Sequence, residues 1–209
     1  MQGANGADGE PAKQAKNRGD DRPIRHSRHQ PIIHCSVHGD CYLDQEEKKV
    51  IFVDSPKHPR LALVGLVTIC FAVAGIGGLA TAPSIPTWYA GLVKPAWTPP
   101  GWIFGPVWSI LYLSMAVSAW LVWRRGNALV PLALFAIQLA FNAAWSWLFF
   151  GLHNPGAALI DVVLLWVAIA ATMLAFWLRS TMAGLLFVPY LAWVSFATAL
   201  NFAIWHLNS

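Results

Sequence analysis

Residues Leu61 to Ala80, LALVGLVTICFAVAGIGGLA, form an uncharged apolar run, the length a helix needs to cross a hydrocarbon core of about 30 Å. Four more apolar runs follow, at 103–123, 129–150, 157–177 and 182–205, of which only the one at 157–177 holds a charged residue, Asp161, with the first extending over 61–81. The pattern predicts an all-α integral membrane protein, a bundle of five transmembrane helices. Its connections at Arg124-Arg125-Gly126-Asn127, Gly151 to Gly156 and Arg179-Ser180-Thr181 are short and carry turn residues. The link between the first two spans, PSIPTWYAGLVKPAWTPPGW, is longer and crowded with Pro and Trp. That loop alone has the length to fold over something.

Charge divides the chain in two. Only Lys94, Arg124, Arg125, Arg179 and Asp161 are charged beyond residue 60, although the whole chain holds 14 Lys/Arg and 10 Asp/Glu. The net charge of +4 is therefore no basic nucleic-acid surface, and no nucleic-acid partner is expected. Residues 1–60 mix Gly, Pro, Asp and Lys, with almost no apolar residue before Ile32. Such a composition cannot bury a core and reads as a disordered polar extension. It resembles neither a secretory signal nor a mitochondrial presequence, and it is also open to being an addition upstream of the true start. Within it, His34, Cys35, His38 and Cys41 gather soft ligands, but zinc sites draw on separated pairs held by a fold, so no metal is expected. Three cysteines, Cys35, Cys41 and Cys70, give no disulfide framework.

Lys57, Arg60, Arg124, Arg125 and Arg179 flank the spans on the face shared with the N-terminus, against Lys94 alone on the other. By the positive-inside rule the N-terminus is cytoplasmic and the Pro/Trp loop lies outside. This reading favours a bacterial envelope membrane over an outer mitochondrial one, although five spans suit both.

The segment WYAGLVKPAWTPPGWIFGPVW (Trp88 to Trp108) resembles the TspO/MBR family of tryptophan-rich sensory and translocator proteins. QLAFNAAWSWLFFG (Gln138 to Gly151), ALIDVVLLW (Ala158 to Trp166) and PYLAWVSFATALNF (Pro189 to Phe202) extend the likeness in one continuous register. The resemblance implies a five-helix bundle that often dimerises, with a cavity closed by the first loop. It further implies a tetrapyrrole ligand, porphyrin or haem, with no obligatory cofactor, and a part in tetrapyrrole transport, sensing or stress regulation.

Helical spacing brings candidate ligand residues together. Trp108 and Tyr112 share a face of the second span, Gln138, Asn142, Trp145 and Phe149 a face of the third, and Tyr190, Trp193, Ala197 and Asn201 a face of the fifth. The expected pocket is formed by the first loop with spans two, three and five. Trp108, Tyr112, Asn142, Trp145, Trp193 and Ala197 would line it, and Trp97 and Trp102 would act as its lid. Aromatic walls with a few polar edges suit a flat amphipathic macrocycle. On spacing alone, the amides equally suit helix glue and the rings an interfacial belt; the resemblance favours the ligand at Trp108, Asn142 and Trp193. The belt better explains Trp120, Trp123, Trp177 and Trp205, near span ends.

Asp161 is the sole acid beyond Asp54. A carboxylate within a span is a functional candidate, but its place near the start of span four equally suits the interface or a helix cap. Ala136, Ala140 and Ala144 form a small-residue ridge on the third span, open to a homodimer seam or to packing within the bundle. Ala74 and Gly78 offer a shorter version in the first. After Leu200, Phe202 and His206 stand where a sterol-type pattern needs a tyrosine and a fixed cation, which argues against sterol recognition. No phosphate loop, Ser/His/Asp set or carboxylate pair is present, so no catalytic residue is assigned. Two other readings stay open, a porphyrin-degrading photo-oxidative enzyme and a non-catalytic dimeric membrane adaptor.

Overall fold

The computed structural model describes residues 58–209 and two short segments, 33–35 and 41–43. Those segments, β1 (Ile33–Cys35) and β2 (Cys41–Leu43), pair antiparallel, with Ile33 opposite Leu43 and Cys35 opposite Cys41. Apart from these backbones, the expectations for residues 1–57 lie outside the described residues. So do the side chains of the His34/Cys35/His38/Cys41 cluster.

Five long helices make up the rest: α1 (Pro59–Ser84), α2 (Phe104–Trp123), α3 (Leu129–Ser146), α4 (Pro155–Trp177) and α5 (Thr181–Leu207). All are long and apolar enough to cross a membrane. Residues exposed on their outer faces are large and apolar, among them Val64, Ile110, Ile160, Val167 and Leu174, as a lipid solvent requires.

Local chemistry sets the helix ends. Pro59 and Pro155 each stand in a first turn, where a missing N–H costs nothing. The Asn154 side chain caps α4 by accepting from the Ala157 N–H at 3.0 Å, and Ser180 does the same for α5 at Ala183. Asn154, not Asp161, is thus the α4 cap. Between α2 and α3 the chain turns through Gly126 (φ 69°) and Asn127 (φ 44°), left-handed positions that glycine and asparagine tolerate.

The first helix runs on beyond the 61–81 expected. It passes Pro83 and continues as a π-helical turn over Ile85–Tyr89. Pro86 lacks the N–H an α-turn would use, and the wider π-turn accommodates that loss. The Thr87 hydroxyl donates to the Pro83 carbonyl at 2.9 Å. Much of the expected first loop is therefore helix, and the α1–α2 connection is shorter than the sequence suggested. A second π-turn, Trp147–Gly151, extends α3.

Around the bundle the helices follow the order α1, α2, α5, α4, α3, with α3 closing against α1. At the end that holds the α1 N-terminus the core is solid: Phe135 stacks on Phe176 at 6.0 Å and Phe187 meets Phe176 edge-on at 5.2 Å. Toward the opposite end, α1, α2 and α3 part around a cavity.

Candidate functional site

The cavity encloses about 590 Å³, within the range of small-molecule sites. Its α2 wall carries Phe104, Gly105, Trp108, Ser109 and Tyr112, and its α3 wall Asn142, Trp145 and Ser146. From Phe104 to Tyr112 the α2 wall is about 12 Å tall, at 1.5 Å per residue. A third wall comes from α1, through Phe71, Ala74, Gly77, Gly78 and Thr81. Small residues keep that wall back from the space: a Cβ on Gly78 would meet nothing within 4 Å, whereas one on Gly77 would lie 2.9 Å from the Ser146 hydroxyl oxygen. Gly77 thus lets α1 approach α3, while Gly78 leaves room. Lys94, Thr98, Pro99 and Gly101 of the α1–α2 connection form the mouth.

Tyr112 and Asn142 form the floor, and they belong to a buried chain of hydrogen bonds that continues beneath it. The Tyr112 hydroxyl donates to Asn142 Oδ1. Asn142 Nδ2 donates to the Tyr190 hydroxyl at 2.9 Å, and that hydroxyl donates to Gln138 Oε1 at 3.0 Å. Gln138 Nε2 reaches the Met115 sulfur at 3.7 Å. This chain joins α2, α3 and α5 at mid-depth, where unpaired polar groups would be costly.

Four of the sequence-predicted residues, Trp108, Tyr112, Asn142 and Trp145, converge on the cavity. Trp108 packs 5.7 Å from the Tyr112 ring and 6.2 Å from that of Tyr190. Trp145 stacks on Phe149 at 5.4 Å and donates from Nε1 to Asn201 Oδ1 at 3.0 Å. Asn201 Nδ2 in turn donates to the Pro155 carbonyl at 2.8 Å, tying α5 to the start of α4.

The other four stand elsewhere. Trp193 lies one ring behind the wall, 5.7 Å from Phe104, and borders a second, outer groove between α2 and α5 with Val107, Ile110 and Pro189. Its Nε1 is enclosed without a hydrogen-bond partner. Ala197 is half-buried on α5 and borders neither space. Trp97 is 50% exposed and meets Phe196 at 5.7 Å; Trp102 is 75% exposed. No α5 residue lines the main cavity; its third wall is α1.

Spacing arguments passed over that α1 wall. The signal was present, because Ala74 and Gly78, read as packing residues, both face the cavity. Equally unforeseen is a latch at the cavity end of the bundle, where the Ser84 hydroxyl donates to the Phe150 carbonyl at 2.7 Å and Trp88 stacks on His153 at 4.5 Å. Asp161 is buried on the inner stripe of α4, and its Oδ2 has no partner. Among the described residues, no three His, Cys, Asp or Glu side chains gather as a metal site requires.

The sequence pattern that defines the TspO/MBR family matches residues 66–206. The chain belongs to the TspO/MBR family. It is 48% identical to the tryptophan-rich protein TspO of Chlorobaculum tepidum over 153 residues, 71% of this chain and 96% of that protein. With the tryptophan-rich protein TspO of Archaeoglobus fulgidus the identity is 44% over 151 residues, 71% of this chain and 98% of the relative. The human translocator protein is 47% identical over 126 residues, 58% of this chain and 75% of that one. Five spanning helices and TspO/MBR membership make this a multi-pass membrane protein. Its cavity lies within the matched region.

Proposed function

We propose that this chain is a membrane receptor or carrier that binds a tetrapyrrole, porphyrin or haem, in the cavity between α1, α2 and α3. The observation that carries the reading is the cavity itself: about 590 Å³, walled by the rings of Phe71, Phe104, Trp108 and Trp145, with a phenol and an amide at its floor. Such a space favours a flat apolar macrocycle with polar edges. Relatives named translocator protein and tryptophan-rich sensory protein agree with a carrier or a receptor. The protein would work as a homodimer. Its N-terminus would face the cytoplasm and the cavity mouth the outside of a bacterial envelope membrane, given Arg60, Arg124, Arg125 and Arg179 at one end and Lys94 at the other.

Titration of the purified protein with protoporphyrin IX tests this reading. Tryptophan fluorescence should be quenched and the porphyrin absorption band should shift. Trp108→Ala, which removes a cavity wall, should weaken binding about tenfold or more, equivalent to ~1.4 kcal/mol. Trp193→Ala should cost far less, because its ring stands behind Phe104. Unchanged affinity in Trp108→Ala would remove the cavity from consideration.

A further inference from the structure

Lys94 is the one charged side chain on the cavity wall. Its ammonium is held in place: it donates to the Leu92 carbonyl at 3.0 Å and the Ala90 carbonyl at 3.3 Å, and lies 4.8 Å from the centroid of the Tyr89 ring. An ammonium has three donors, so one remains. The backbone just before it is fixed as well, because Asn208 clasps Val93, accepting from its N–H at 3.0 Å and donating to its carbonyl at 2.9 Å. Carbonyls at the end of a helix attract a cation, which accounts for where the ammonium sits. They do not neutralise it. Among the described residues the only side-chain carboxylate is Asp161, in the early part of α4 and not on the cavity wall.

A fixed cation at the rim of an aromatic cavity is a receptor for an anion that comes with an apolar body. We propose that Lys94 takes an ionised carboxylate of the ligand, so that the cavity selects flat hydrophobic acids over their neutral esters. This rests on the cavity reading above and adds the class of ligand it prefers. Lys94 is half-buried, and a charge-assisted bond beside apolar walls is screened less than one on open surface.

The full-length protein is titrated with protoporphyrin IX and with its dimethyl ester, and separately with pyrenebutyric acid and its methyl ester. Wild type should bind each acid about tenfold more tightly than its ester, and that preference should shrink at high salt. Lys94→Gln should weaken the acids about tenfold and leave the esters unchanged; Lys94→Arg should keep most of the preference. Equal binding of acid and ester by wild type in both pairs overturns the proposal. So does a Lys94→Gln variant that weakens acid and ester in parallel, since that marks a merely structural role at the end of the first helix. An unaltered preference in that variant overturns it too. Discrimination within the pyrene pair, with no binding of either porphyrin, would uphold Lys94 and sink the tetrapyrrole reading alone.

Discussion

At the residue scale, the buried chain Tyr112–Asn142–Tyr190–Gln138 decides how the middle of the bundle is held. Asn142 and Tyr190 each serve two others, so removing the Tyr190 hydroxyl strands two groups on α3. Tyr190→Phe leaves Asn142 Nδ2 without its acceptor and Gln138 Oε1 without its donor, in a place water does not reach. The expected loss is about 1–2 kcal/mol, between the cost of an orphaned buried group and the smaller values measured for polar bonds in membranes. Thermal unfolding in detergent checks it, and a midpoint equal to wild type would show that the chain contributes nothing to stability. Gln138 and Asn142 were legible as a polar stripe because their spacing of four is a helix period. Their partners were not: the Tyr112 bond depends on how α2 approaches α3, which no spacing within one helix reports. Trp108 and Trp193 have equally good spacing in sequence. Phe104 separates them in space, and only the rotation of α5 places Trp193 behind that ring.

At the element scale, the helix ends followed from ordinary signals, Asn154-Pro155 before α4 and Ser180 before α5. The end of α1 did not, because Pro83 and Pro86 read as loop residues. A π-turn absorbs Pro86, and the Thr87 hydroxyl bonds the Pro83 carbonyl, so the helix continues to Tyr89 and brings its last turn to the cavity mouth. Close helix packing also rests on single glycines. Gly184 lies beneath Trp177 across the α4–α5 turn, where an added Cβ would stand 2.6 Å from an indole carbon and 2.8 Å from the Trp177 Cβ. The second of these atoms belongs to the root of the side chain and cannot swing away. Gly184→Ala should therefore destabilise the bundle by about 1–3 kcal/mol, the usual range for overpacking, despite alanine's better helix propensity. A stabilised Gly184→Ala variant in a thermal unfolding assay would mean that the turn adjusts freely.

At the scale of the whole molecule, the two ends of the bundle differ. One has a solid aromatic core at Phe135, Phe176 and Phe187, with Arg125 donating to the Arg179 carbonyl beside it. The other is hollow, with a single cation at its rim. The outer face of α3 offers a third feature, since Ala136 and Ala140 are exposed and Ala144 is half-buried. None of the three is used up in packing α3 against its neighbours to the extent that Phe135 and Leu139 are. In lipid, helices associate by close van der Waals approach and not by hiding apolar surface from water, so a ridge of small side chains is a place where a second copy gains contact. Ala140→Phe raises the middle of that ridge by a ring that points away from the bundle, and it leaves the cavity residues of α3 in place. Light scattering of the protein in detergent should find wild type dimeric and Ala140→Phe shifted toward monomer, with porphyrin affinity within about twofold of wild type, or ~0.4 kcal/mol. A dimer that survives Ala140→Phe would move the seam to another helix. Loss of porphyrin binding together with the dimer would instead make the cavity depend on the partner copy.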